Sequence, residues 1–301
     1  MNKQLILGYL FALSATAIWS GNFIIARDLN EIIPPISLAF WRWTVALIIL
    51  FPFAVKQLIV EWAILKKNIG YLSITSFLGI TVFNTLIYVA GHSTTAINLS
   101  LISITFPVFI VIFSRIFFRE LITLNKGIGI VLVLVGVILL ITKGQPSKLL
   151  NLSLAIGDIW MLLAAIIFAV YSILLKQKPK GLNILSFQLS TFILGLIFMF
   201  PFFIWETLTV PAIKFESKTI FSILYVGIFA SLTAYVFWNK AIEKIGPTNA
   251  GMIYYTLPLF SGVLAYIFLK ETIGMIHLYS LLLILFGIIA ATIKKKLGEQ
   301  H

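Results

Sequence analysis

Ten stretches of about 20 apolar residues, separated by short polar runs, fill this chain. They fall at about 5–26, 36–55, 69–90, 97–117 and 124–142, then at 155–175, 184–204, 219–239, 248–269 and 273–293. Stretches of this length match a hydrocarbon layer about 30 Å thick. Backbone groups in lipid must be satisfied within the segment, so each stretch predicts a helix. The two-residue alternation of a membrane barrel is absent. The first stretch is too long for a signal-peptide core and has no cleavage pattern after it, so it reads as a retained span.

The stretches also repeat. Gly8 recurs as Gly157, and the Phe-Pro-Phe at 51–53 recurs at 200–202, both at an offset of 149. Asn98 recurs as Asn249, Pro107 as Pro258, Glu120 as Glu271 and Gly136 as Gly287, all at 151. Two residues are therefore gained after Pro52 and before Asn98, most easily in a loop. Each copy, 1–147 and 148–301, holds five stretches. An odd number of crossings makes the second copy enter the membrane from the opposite side. That is the inverted-topology construction of many secondary transporters, with the substrate held where the repeats meet. The expected fold is an all-α integral membrane protein: ten transmembrane helices as two inverted-topology five-helix repeats around a central cavity.

Composition agrees. Of 301 residues, 60% are hydrophobic and 11% charged, whereas soluble proteins carry roughly 25% charged residues. The loops leave no room for a separate soluble domain. The formal net charge of +12 sits in the connections and sets orientation. With the N-terminus cytoplasmic, 15 Lys and Arg lie in or beside cytoplasmic connections and 6 on the other side, leaving Arg42 well inside a stretch. The protein is expected in the cytoplasmic (inner) membrane as a multi-pass protein with both termini cytoplasmic. No soluble basic face exists to bind nucleic acid. There is no cysteine, which excludes disulfide and thiol chemistry. The expected partners are the lipid bilayer and a small-molecule substrate, for a monomer or homodimer, with no cofactor and no metal.

The second half of each copy carries a pattern. Residues 234–271 run Ala-Tyr-Val-Phe-Trp-Asn-Lys-Ala, Ile-Gly-Pro-Thr-Asn-Ala-Gly, then a mid-stretch Leu-Pro and Phe-Leu-Lys-Glu. The first copy has Ile87-Tyr88-Val89-Ala90, Phe106-Pro107 and Phe118-Arg119-Glu120, with 13 residues from Pro to Glu in both. The chain resembles the EamA branch of the drug/metabolite transporter superfamily over essentially its whole length. That resemblance implies ten helices in two inverted repeats around a cavity. It also implies a small polar metabolite as substrate, most often an exported amino acid or relative.

Candidate residues follow from polarity at depth. Trp19, Asn22, Asn84, Tyr88, Asn98 and Ser103 in the first copy, with Tyr171, Tyr235, Trp238, Asn239, Tyr254 and Tyr255 in the second, are polar or aromatic at mid-stretch. Asn can donate to or accept from either end of an amino acid. Tyr and Trp supply an apolar wall with a polar handle and a face that attracts ammonium groups. Any one of them can instead be glue between helices. As a set they predict a cavity lining. Arg42, between Trp41 and Trp43, either faces that cavity and attracts a carboxylate or snorkels to the interface. Pro107 and Pro258, at one equivalent position, predict hinges. Pro52 and Pro201 read as helix stops. Glu120 and Glu271 read as interfacial carboxylates paired with Arg119 or Lys270, or as helix caps.

The leading reading is a secondary transporter working by alternating access, most simply an exporter of amino acids or related compounds. A channel would be marked by rings of like charge or filter loops, and neither is present. A membrane transferase needs clustered carboxylates or histidines. Only ten acidic residues and three histidines exist, scattered, with no HExxH pair. No GxxxxGK[ST] loop is present, so the chain is not expected to hydrolyse ATP or to be an enzyme.

Overall fold

The computed structural model describes residues 3–29, 32–93, 102–103, 105–141, 144–145, 147, 156–210, 213, 215–257, 259–260, 263–264, 267 and 274–292. In chain order its helices are α1 (Lys3–Leu29), α2 (Pro35–Val60), α3 (Trp62–Lys67) and α4 (Ile69–Ser76). A π-helical segment, π1 (Phe77–Val82), leads into α5 (Phe83–Gly91). Next come α6 (Phe106–Phe118), α7 (Leu124–Ile141), α8 (Ile156–Leu175), α9 (Ile184–Thr209) and α10 (Ser217–Tyr225). A second π segment, π2 (Val226–Thr233), is followed by α11 (Ala234–Tyr254) and α12 (Met275–Thr292). Five of the helical runs are long and apolar enough to cross a membrane: 3–22, 35–60, 69–91, 184–209 and 219–254. Shorter apolar helices cover 106–118, 124–136, 159–175 and 278–290. This is a multi-pass membrane protein.

Helix starts and stops follow local chemistry. α2 opens with Pro35 in its first turn, where the missing N–H is no loss. Asn183 caps α9 by accepting from Leu185 N at 2.8 Å. α11 is two helices joined at a kink. The backbone leaves the helical region at Gly246 (φ 76, ψ 163), a conformation that favours glycine, and Pro247 restarts it. Pro52 and Pro201 lie inside α2 and α9, which run on to Val60 and Thr209. The expected helix stops are therefore absent. Backbone ended inside an apolar run would be left without partners, so the helix continues through the proline.

α2 and α9 are each 26 residues long and begin and end at an offset of 149. π1 and π2 also begin at 149, but π1 has six residues and π2 has eight, so α5 and α11 begin at 151. The two gained residues thus lie within a π-helical segment rather than in a loop. Each segment closes on an i→i−5 bond, Phe83 N to Leu78 O and Ala234 N to Phe229 O. Such widened turns release carbonyls from the helix ladder and often sit at functional sites.

Packing is by antiparallel pairs: α1 along α11, α2 along α9 and α7 along α12. Close approach between α7 and α12 depends on glycine. A Cβ at Gly136 would lie 3.0 Å from Ile284, and one at Gly287 would lie 2.6 Å from Val133. These two contacts are the same contact read from either side, since Val133 and Ile284 are also 151 apart.

Polar contacts gather several helix ends at one end of the molecule. Lys244 bonds Gln4. Lys178 approaches Glu243 at 4.0 Å. Lys176 pairs with Glu120 at 2.7 Å, and Glu61 accepts from Asn183 N at 2.9 Å. The start of α1, the ends of α2, α6 and α8, and the break in α11 therefore share this end. At the opposite end, Glu206 accepts from Ile36 N at 3.0 Å and Ser37 N at 2.6 Å.

Candidate functional site

Arg42 lies seven residues after the start of α2 at Pro35 and is 2% exposed, so its side chain is enclosed rather than snorkelling to the surface. Trp43 beside it is fully buried rather than interfacial. Gly227 in π2 lets α2 approach closely, since a Cβ there would lie 3.0 Å from Arg42 O. The guanidinium donates from Nε to Ser231 Oγ and from Nη1 to Tyr88 Oη, both at 2.5 Å. It also lies 5.4 Å from the Trp43 ring centre and 5.7 Å from that of Tyr88. Among the described residues no carboxylate comes within 4.0 Å of it, the two ion pairs being Lys176–Glu120 and Lys178–Glu243. A buried cation held only by hydroxyls and ring faces keeps most of its desolvation cost.

A second network begins beside it. Gly79 O, released in π1, accepts from Tyr235 Oη at 2.9 Å and Asn84 Nδ2 at 3.2 Å. Asn84 Nδ2 also reaches Tyr235 Oη at 2.8 Å. Tyr171 Oη donates to Asn239 Oδ1 at 3.2 Å, and Asn239 Nδ2 donates to Gln188 Oε1 at 2.5 Å. Trp238 Nε1 donates to Ser172 Oγ at 3.1 Å and Trp19 Nε1 to Ala230 O at 3.0 Å. The rings of Trp19, Trp238, Tyr254, Phe106 and Phe168 close the wall, Trp19 meeting Trp238 at 5.3 Å and Phe106 meeting Tyr254 at 4.1 Å. The side chains of this ensemble are buried. The expected central cavity is here a closed, aromatic-filled centre.

Equivalent residues of the two copies meet in this centre. Trp19 and Phe168, 149 apart, touch edge to face at 5.6 Å. Trp43 and Phe192, also 149 apart, are 4.7 Å apart. Asn84 and Tyr235, bonded above, are 151 apart.

Of the predicted residues, Trp19, Arg42, Asn84, Tyr88, Tyr171, Tyr235, Trp238, Asn239 and Tyr254 come together. Ser103 joins them as the hydrogen-bond partner of the Tyr254 hydroxyl. Tyr255 does not. One step along a helix turns it about 100° from Tyr254, and it packs with Val133, Met252 and Ile284 under α7 and α12. Asn22 is buried with its Oδ1 unpartnered among the described residues. Asn98 lies outside them. Ser231, Gln188, Ser172, Trp43, Phe168 and Phe106 belong to the ensemble without having been singled out. Gln188, a carboxamide inside an apolar stretch, was the one with a readable signal.

Pro107 falls in the first turn of α6, not in the middle of a continuous helix. Just before it, Thr105 N and Oγ1 both reach Ile102 O, at 3.0 and 2.6 Å. Pro258 lies outside the described residues, but the backbone before it repeats this break. Thr256 N and Oγ1 reach Ile253 O at 3.0 and 2.7 Å. Pro107 is therefore at a helix restart rather than a mid-helix hinge, and in both copies a threonine two residues before the proline position satisfies a carbonyl at the break.

The carboxylates at the ends are structural. Glu120 pairs with Lys176, not with Arg119, and Thr248 Oγ1 lies 2.9 Å from its Oε2. Arg119 takes a left-handed turn (φ 54) that folds Glu120 back over the end of α6. Partial burial pushes the Glu120 carboxyl up, but its bonds to Lys176 and Thr248 outweigh this and hold it below the usual range. Glu61 is likewise raised by burial and lowered further by Gln57, Ser186, Asn183 N and Lys178, for a net fall. Glu271 lies outside the described residues. Among those described, no three His, Asp or Glu side chains gather to hold a metal.

A buried polar and aromatic centre in an apolar helical bundle is an arrangement that a membrane transporter can use, and its relatives place the chain in that class. Residues 6–142 and 155–293 each match the EamA-like transporter family, and the chain belongs to it. It is similar to a protein of Archaeoglobus fulgidus named as an uncharacterized transporter, 26% identical over 84% of this chain and 86% of the relative. It is also similar to the Bacillus subtilis uncharacterized transporter YyaM, 22% identical over 94% and 93%. A solved crystal structure superposes with a TM-score of 0.76 over 95% of this chain and 96% of the other at 17% identity, a likeness of fold.

Proposed function

We propose that this chain is a secondary transporter of small polar metabolites that bear a carboxylate. Amino acids or their relatives are the leading class, exported across the cytoplasmic membrane by alternating access. Ten spans form two inverted repeats, 1–147 and 148–301, with both termini cytoplasmic. Support for the inverted arrangement comes from the antiparallel α2–α9 and α7–α12 pairs and from equivalent residues meeting at the centre, as a two-fold axis demands. Support for the orientation comes from the shared end that collects Lys176, Lys178 and Lys244. The observation that carries the substrate class is Arg42, buried without a carboxylate partner among the described residues. A substrate carboxylate would take that place, and the aromatic wall of Trp19 and Trp238 would take the body. The closed centre is then the occluded stage of a cycle whose openings use the breaks at Thr105 and Thr256.

The test is a thermal-shift screen on purified protein, because a ligand of the folded state raises the melting temperature with its concentration over Kd. Carboxylates should stabilise, and the matching amides and alcohols should not. Equal shifts for an acid and its amide would remove Arg42 from recognition.

A further inference from the structure

At the end that gathers the helix ends, a cavity of about 450 Å³ lies between the α2–α4 connection and the α8–α9 connection, lined by Ala63, Ile64, Lys67, Asn68, Pro179 and Lys180. Lys67 and Lys180 are exposed, and neither is in an ion pair among the described residues. Their neighbours Lys176 and Lys178 are occupied, with Glu120 and with Leu182 O and Glu243. Beside the cavity, Ile59, Val60 and Trp62 are 67, 77 and 59% exposed. An exposed apolar strip with a tryptophan next to free ammonium groups marks the depth where acyl chains give way to headgroups.

The other end of the α2–α9 pair also carries a cavity, with a carboxylate rather than lysines among its described lining residues. This cavity, of about 200 Å³, is lined by Pro34, Ser37, Trp41, Phe203, Glu206 and Phe215 among other described residues. Basic pockets on the cytoplasmic side of helical membrane proteins hold anionic headgroups.

We propose that the Lys67–Lys180 cavity holds the phosphodiester headgroup of an anionic phospholipid, its acyl chains lying along Ile59, Val60 and Trp62. This goes beyond the transport reading and rests only on the membrane placement of this end.

Purified protein in detergent would be titrated with dioctanoyl-phosphatidylglycerol, dioctanoyl-phosphatidylcholine or inorganic phosphate. Melting temperature would be followed, and native mass spectrometry would count bound lipid. Phosphatidylglycerol should give a saturable shift with one retained lipid, well above that of phosphatidylcholine or phosphate. Lys67→Gln/Lys180→Gln should weaken that binding roughly tenfold or more, and Lys126→Gln should leave it unchanged. Equal shifts with phosphatidylcholine, or unchanged phosphatidylglycerol binding in the double variant, overturns the proposal. An equal response to inorganic phosphate overturns the lipid assignment and leaves a phosphate site. No readout involves transport, so failure here is separate from failure of the transport reading.

Discussion

Arg42 and Thr191 occupy one place in the two copies, 149 residues apart, and do opposite things. Arg42 extends a buried cation to Ser231 and Tyr88 across the bundle. Thr191 turns its hydroxyl back to Gln188 O of its own helix at 2.9 Å. The neighbouring pairs differ as well: Asn22 against Tyr171, Asn84 against Tyr235 and Tyr88 against Asn239. By contrast the frame repeats closely. α2 and α9 have one length, the two threonine–proline breaks share their hydrogen bonds, and Gly136 and Gly287 make one contact twice. Main-chain geometry is duplicated while the chemistry inside it is one-sided. In the transport reading proposed above, such a one-sided centre would give a carboxylate substrate one orientation.

The largest expected effect comes from removing the asymmetry. Arg42→Gln should lower flux of a carboxylate substrate by about 100-fold, the scale of truncating one member of a buried charge pair. Its melting temperature should hold or rise, since a buried unpaired cation costs stability. A variant that melts early would make Arg42 structural instead.

Next come the glycines that let the copies touch. A Cβ at Gly79 would lie 2.3 Å from the Tyr171 ring, and one at Gly227 would lie 2.6 Å from Val45. Gly79→Ala and Gly227→Ala should each destabilise by about 1–3 kcal/mol through overpacking. Gly70→Ala, with nothing within 4 Å, should be neutral or slightly stabilising. Equal melting temperatures for all three would contradict the packing described. A smaller loss, about 1 kcal/mol, is expected for Tyr235→Phe, which takes a hydroxyl from Gly79 O and Asn84.

The smallest effect is on pH. Glu61 and Glu120 are held below the usual carboxylate range. Their contribution is therefore complete above the ordinary carboxyl pKa of about 4.3. It is lost as pH falls through the lower folded values. The melting temperature should be level from neutral to about pH 5 and fall in more acid solution, and Glu61→Gln should flatten that fall.

Much of this was legible in the sequence because lipid leaves so few options. Apolar length marked the helices, and polar or aromatic residues at depth marked Trp19, Asn84, Tyr88, Tyr235 and Trp238. Other features left no trace there. Ser231 binds Arg42, while Thr75 and Ser76 return their hydroxyls to their own helix, and a hydroxyl in an apolar run reads the same in both cases. The π segments keep the apolar pattern of an α-helix, so their different lengths showed only as an offset. Glu61 and Glu206 lie beyond the apolar stretches, where a loop charge and a helix-end acceptor look alike, yet each carboxylate serves the start of the other long helix. Tyr255 was misplaced because polarity at depth does not reveal which way a helix is turned.

The central claim is that Arg42 is the anion handle of a carrier. Counterflow in proteoliposomes tests it most directly, with radiolabelled amino acids and other carboxylates offered to the wild type and to Arg42→Gln. The wild type should show saturable, trans-stimulated uptake and the variant almost none at equal folded protein. Uptake by Arg42→Gln at the wild-type rate, or a non-saturating conductance in the wild type, would contradict it.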